Sequence, residues 1–136
     1  MKTISILGAT GSVGQNTIDL VSRSPEKYQT VALTCARNIV RLATDAKRLG
    51  AKLAVTSEED LFAPLSEMLS GTGIEVAAGA AAIAEVGARP ADIVMSAIVG
   101  AAGLPPGLEV LRRGGTLALA NKETLVTAGE LVMQIV

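Results

Sequence analysis

The chain of 136 residues contains no histidine and no tryptophan, and only one cysteine, one tyrosine and one phenylalanine. Without histidine, the commonest general acid–base group is missing. A lone Cys35 excludes an internal disulfide and fits a reducing compartment. With so few aromatics, a core has to be built from Ala, Val, Leu and Ile. An excess of either charge is also lacking: 12 basic residues meet 13 acidic ones, for a net charge of −1, so nothing here favours nucleic acid or an anionic membrane surface as partner. Long hydrophobic runs are absent as well. The longest, residues 93–104, contains Ser96 and meets Pro105 and Pro106, which makes it too short to span a bilayer. The N-terminal ISIL runs straight into GATGSVG, with no room for a secretory leader. The chain reads as soluble and cytoplasmic.

What is present is an alternation. The length suits one domain, here residues 1–136, without repeat, linker or low-complexity segment. Short β-rich runs occupy residues 3–7, 30–35, 53–55, 75–77, 92–97 and 116–119, and segments of helical spacing lie between them. Ile39, Leu42, Ala43 and Ala46 form one stripe behind a possible Asn38 cap; Leu125, Val126, Gly129, Val132, Met133 and Val136 form another. Ser57 and Asp60 stand at capping-box spacing and predict a helix over 57–69, with Pro64 able to shift its start or kink it. Leu104, Leu108 and Leu111 predict a helix that opens at the two prolines and ends before Gly114. Apolar strands separated by helices imply an α/β fold, a Rossmann-like, doubly wound and mainly parallel sheet with helices on both faces. The last helical stripe reaches Val136 with no stop signal, which suggests a longer parent protein.

Four stretches carry chemistry. The first strand ends in GATGSVG, with Gly8, Gly11 and Gly14 three apart. Gly8 permits the tight turn, Gly11 lets backbone approach a pyrophosphate, Gly14 lets the helix lie close, and Thr10 and Ser12 add hydroxyls. The alternative is a glycine-rich turn that only helps a helix to pack. Because the motif follows a strand and opens a periodic helix, dinucleotide binding is the better reading. The second strand ends in Cys35, Ala36, Arg37 and Asn38, with no acid between Lys27 and Thr44 to accept from a ribose 2′-hydroxyl. A guanidinium suits a 2′-phosphate, so the coenzyme is read as NADP rather than NAD, against the alternative of a solvated loop arginine. After the fifth strand, the small residues of SAIVGAAGL leave room for a flat ring, or else for close backbone packing.

The fourth stretch, LANKETLV, sets Asn121, Lys122 and Glu123 at the end of the sixth strand. Asn121 suits a helix cap and Glu123 the helix dipole, but Lys122 opposes that dipole unless an anion lies nearby. Either this is a capping Asn followed by a solvated Lys–Glu pair, or Asn121 and Glu123 face the cofactor while Lys122 holds an anionic substrate. The shared carboxyl edge of one sheet favours the second.

GATGSVG, ARN, AIVGAAGL and above all LANKETLVTAG together resemble the N-terminal NADPH domain of the 1-deoxy-D-xylulose 5-phosphate reductoisomerase family, from Lys2 to the last residue. The resemblance implies a homodimeric enzyme of non-mevalonate isoprenoid synthesis. It would convert 1-deoxy-D-xylulose 5-phosphate to 2-C-methyl-D-erythritol 4-phosphate with NADPH and a divalent metal (Mg, Mn or Co). It implies that Thr10, Gly11, Ser12, Val13, Ala36, Arg37, Asn38, Asn121 and Glu123 line the NADPH site and that Lys122 contacts the sugar phosphate. Two residues depart from the family pattern, Gly107 where threonine is usual and Ala36 where glycine is common. Neither undoes the assignment.

Other readings fit less well. A short-chain dehydrogenase needs Tyr and Lys four apart, but Tyr28 is followed there by Ala32. A semialdehyde dehydrogenase needs a nucleophilic cysteine in its catalytic domain, and Cys35 is misplaced for that. A non-catalytic NADP-sensing module would leave Lys122 without purpose. Glu58, Glu59 and Asp60 form the only acidic run, at an expected helix start where capping explains it, and Asp92 lies at the amino end of its strand. With these acids, and with the family's metal ligands beyond Val136, the 136 residues alone are expected to bind coenzyme but catalyse nothing.

Overall fold

In a computed structural model of the chain, residues 2–98 and 104–119 are described. Six strands form one sheet: β1 (Lys2–Leu7), β2 (Tyr28–Cys35), β3 (Leu53–Thr56), β4 (Glu75–Ala78), β5 (Ile93–Ser96) and β6 (Thr116–Leu119). All adjacent strands are parallel, in the order β4-β3-β2-β1-β5-β6. The expected strands are all present, each within two residues of the sequence-based bounds. The helices are α1 (Ser12–Arg23), α2 (Ile39–Leu49), α3 (Phe62–Met68), α4 (Ala80–Ala88) and α5 (Leu104–Arg112). None among the described residues is long and apolar enough to cross a membrane. The helical stripe from Leu125 onward lies outside the described residues.

The apolar strands bury both faces, as a parallel sheet requires. On one face Ile4, Ile6, Leu33 and Ala54 meet Ile18 and Val21 of α1, Leu42 and Ala46 of α2, and Leu65 of α3. On the other, Leu7, Val31, Val55 and Val94 meet Ile83 and Val86 of α4 and Val110 of α5. A register shift between Ile4 and Ser5 admits one extra β2 residue, so that Val31 and Ala32 both serve the second face while Leu33 returns to the first.

One helix departs from expectation. The segment after β3 opens with a 3₁₀ turn, Glu59–Leu61, and the α-helix begins only at Phe62. Neither Ser57 nor Asp60 makes a capping hydrogen bond. A helix running through 57–69 would set the Pro64 ring against the carbonyl of Asp60; a later start leaves Pro64 in the first turn, where its missing N–H costs little. The expected helix behind the two prolines forms as α5 and ends before Gly114.

Strand order reverses between β1 and β5. The chain leaves β1 toward β2 on one side, and β5 and β6 are added on the other. At such a switch point the connections diverge and leave a crevice beyond the carboxyl ends of the strands.

Candidate functional site

The crevice is present as a cleft of about 460 Å³. Gly8, Thr10 and Gly11 line it from the turn after β1, Cys35 and Ala36 from the end of β2, and Ser57 from the end of β3. Ile83 of α4, Ala97 and Ile98 after β5, and Pro105 and Pro106 of α5 close it. A broader groove of about 620 Å³ on α2 and α3, lined by Val40, Lys47 and Met68 among others, is remote from the strand ends and gathers no loops.

The turn after β1 is held in several ways. Gly8 has φ +74°, a conformation L side chains rarely adopt, and a Cβ there would lie 3.0 Å from the Ala97 carbonyl carbon. Its N–H donates to Thr34 Oγ1 at 2.9 Å, and the Ala9 N–H donates to the Thr34 carbonyl at 2.8 Å. Gly11 is the N-cap residue of α1, in extended conformation, and a Cβ there would meet only the Gly8 carbonyl oxygen at 3.8 Å. It thus fronts open space, where a ligand phosphate could approach the backbone. The exposed residues Ser12 and Val13 open α1 just past cleft-lining Gly11 without lining the cleft themselves, and their amides have no intrahelical acceptor. At Gly14 a Cβ would collide with the Gly8 carbonyl oxygen and come within 2.6 Å of that of Ala9, which is why α1 can lie so close to its own turn. Gly8 and Gly14 have the packing roles their spacing implied.

A buried polar group missed by sequence reasoning braces this turn. Gln15 Nε2 donates both to the Ala9 carbonyl at 2.9 Å and to Asp45 Oδ2 at 2.7 Å. Arg41 Nε donates to Gln15 Oε1 at 2.8 Å and lies 3.6 Å from Asp45. Asp45 is 1% exposed, so these partners offset the cost of a buried carboxylate while tying α2 to the turn. No spacing rule announces it: Asp45 flanks the apolar stripe of α2 and looks like a solvent-facing acid.

At the end of β2, the Asn38 side chain accepts from the Arg41 N–H at 3.2 Å and caps α2, as its position suggested. Ala36 forms the cleft wall. Arg37 is exposed but not a solitary solvated side chain: Nη1 lies 3.4 Å from Glu58 Oε1 and Nη2 lies 3.3 Å from Asp60 Oδ2. These bonds, chiefly that to Asp60, raise the guanidinium above its already high ordinary pKa. The expectation that helix capping explains Glu58 and Asp60 is therefore corrected; both turn toward Arg37.

Two sequence-based exclusions gain a physical footing. Burial pushes the Cys35 thiol up to about 11, against a smaller opposing hydrogen bond with Thr56, so at neutral pH it is a protonated, poor nucleophile. Asp92 sits at the amino edge of the sheet, where its Oδ2 accepts from the Thr3 N–H at 2.8 Å. No group of three or more His, Cys, Asp or Glu that could hold a metal ion occurs among the described residues. Residues 99–103 and the expected site residues Asn121, Lys122 and Glu123 lie outside the described residues. β6 pairs Leu119 with Ser96, which pairs with Leu7, so the chain leaves β6 at the cleft edge of the sheet.

Comparison with known proteins gives one family. The sequence profile of 1-deoxy-D-xylulose 5-phosphate reductoisomerase matches residues 4–129. The enzyme of that name from Jannaschia sp. (strain CCS1) is 63% identical over 132 residues, covering 97% of this chain and 34% of the relative. That from Paracoccus denitrificans is 62% identical over 135 residues, covering 98% and 35%. The chain thus spans about a third of the length of the curated relatives it matches. Among solved structures, the Zymomonas mobilis reductoisomerase in complex with NADPH superposes with a TM-score of 0.94 at 48% identity, covering 98% of this chain and 35% of that one. A reductoisomerase in complex with NADPH, fosmidomycin and magnesium superposes with a TM-score of 0.90 at 35% identity, covering 99% and 34%.

Proposed function

The chain belongs to the 1-deoxy-D-xylulose 5-phosphate reductoisomerase family, and from that membership we propose that residues 1–136 are the NADPH-binding domain of such an enzyme. The observation that carries the reading is the meeting, at one cleft, of a helix N-terminus fronted by Gly11 with the end of β2, where Ala36 lines the wall and Arg37 is the next residue. The fit supports NADPH in particular. The opening amides of α1, at Ser12 and Val13, with the Thr10 and Ser12 hydroxyls, would hold the pyrophosphate. Arg37 and Asn38 would meet the 2′-phosphate, with Ala36 against the adenosine. Asn121 and Glu123 complete the proposed coenzyme site, and Lys122 would contact the anionic substrate.

When bound, NADPH supplies a hydride, and the residues of this domain bind and orient it. The intact enzyme would convert 1-deoxy-D-xylulose 5-phosphate to 2-C-methyl-D-erythritol 4-phosphate in non-mevalonate isoprenoid synthesis. It would act as a cytoplasmic homodimer using Mg, Mn or Co, with the metal ligands supplied from beyond these residues. Related structures contain magnesium. Two related structures also contain fosmidomycin, so a small molecule binds in these relatives as well as the metal. No nucleic-acid or membrane partner is proposed. Membership in a family of enzymes leaves a purely NADP-sensing module without support.

Titration of NADPH and NADH by calorimetry tests the reading. Wild type is expected to prefer NADPH, and Arg37→Ala to lose about one to two orders of magnitude in NADPH affinity, the usual worth of a charge-assisted bond to phosphate. Equal wild-type affinities for the two coenzymes would refute it.

A further inference from the structure

We propose that Glu58 and Asp60 compete with the coenzyme's 2′-phosphate for the Arg37 guanidinium, and so limit how strongly the site prefers NADPH over NADH. The inference rests on the NADPH reading above.

The competition is built into the backbone. The Ser57 N–H donates to the Cys35 carbonyl at 2.9 Å. The Thr56 hydroxyl donates to the Ala36 carbonyl while accepting from the Glu58 N–H at 3.1 Å. These bonds clamp the turn after β2 to the turn after β3. Ala36 and Ser57 line the cleft, and the residues that follow them in sequence, Arg37 and Glu58, are brought together as an ion pair. Asp60, two residues on, reaches the other terminal nitrogen of the same guanidinium.

Charge counting decides the sign. One guanidinium with two carboxylates leaves a local charge of −1 where a phosphate monoester, of about −1.5 to −2 at neutral pH, would dock. Each terminal nitrogen already points one N–H at a carboxylate, so an arriving phosphate meets a guanidinium whose charge is shared with two acids that repel it. At 3.3 and 3.4 Å, with Arg37 61% exposed, these are long, solvated contacts of the kind that contribute little stability and exchange readily. They are poorly suited to fixing the guanidinium in one orientation, which would call for short bidentate bonds. NADH presents a neutral hydroxyl at the same place and so lacks the charge that the two acids repel.

The test is fluorescence titration of NADPH and NADH into the intact protein and its Glu58→Gln, Asp60→Asn and doubly substituted variants, at fixed low ionic strength. Each single variant is expected to bind NADPH about two- to five-fold tighter, and the double variant roughly ten-fold tighter, as removal of weak surface charge interactions predicts. NADH affinity should stay near wild type in all three, which also shows that the variants are folded. The gain should shrink as salt screens the charges. Weaker NADPH binding would mean that the acids orient Arg37, and overturns the proposal; so does an equal change for both coenzymes, which would mark a structural role. If wild type prefers NADPH and the variants bind it no better, this inference alone fails. If wild type shows no preference, the NADPH reading fails and the inference with it.

Discussion

Arg37 and Asp92 are both exposed charged residues held by hydrogen bonds, at opposite edges of the sheet, and their neighbours give them different work. Around Asp92 the hydrogen-bond partners are neutral, and Lys2 adds a smaller attraction. The Thr3 N–H and hydroxyl both donate toward its carboxylate, and its own N–H bonds Thr3 Oγ1 at 2.9 Å, so the carboxyl is held below its usual pKa. A carboxylate with a depressed folded pKa stabilises above its unfolded value and loses that contribution as pH falls through the folded one. Asp92→Asn is therefore expected to lower the melting temperature at pH 7, with the gap to wild type closing as pH drops below about 4. A gap that persisted or grew in acid would show that the bonded charge at Asp92 is not the cause. At Arg37 the ARN triplet made the cation legible, but not its partners. Glu58 and Asp60 lie 21 and 23 residues downstream and arrive through the β2–β3 pairing, which no local spacing encodes.

The way α1 sits on its own turn links element to site. An exposed helical glycine usually gains stability on substitution by alanine, because the unfolded chain loses freedom. Gly14 should do the reverse, since its added Cβ would strike two backbone carbonyls of the turn that have no flexible end to yield. Gly14→Ala is expected to destabilise by about 1–3 kcal/mol in denaturant unfolding, the usual cost of overpacking. Unchanged or raised stability would mean that α1 does not approach the turn this closely. Elements with strong patterns were readable: the apolar strands, the α2 stripe with its Asn38 cap, and the prolines opening α5. α4 was not. Its sequence, AAAIAEVGA, is apolar almost all round, so no stripe contrasts with a polar face, although Ile83, Val86 and Gly87 are what it buries. Its Gly87 also lets Pro106 of α5 approach so closely that a Cβ would strike the proline carbonyl. The capping-box signal at Ser57 misled for a different reason: Pro64 outweighs it, and a proline clash costs more than a cap gains.

At the scale of the molecule, parallel β order places every loop that matters at one edge. The turns after β1, β2 and β3 and the segment after β5 converge on one cleft, and β6 delivers the chain to the same edge. That convergence followed from strands alternating with helices, and it is why a list of separate motifs could be read as one site. The brace of Gln15, Asp45 and Arg41 could not be read, because it depends on which flank of α2 faces α1. The central claim is that NADPH lies in this cleft, across the first turn of α1 and the end of β2. Amide hydrogen exchange of the intact protein with and without NADPH tests it most directly, since bound coenzyme slows exchange where it covers or orders the backbone. Protection is expected in residues 9–14 and 36–38, with no change in the α2–α3 groove at Val40, Thr44 and Lys47. Unchanged exchange at residues 9–14 under saturating NADPH, or protection confined to that groove, would contradict the account.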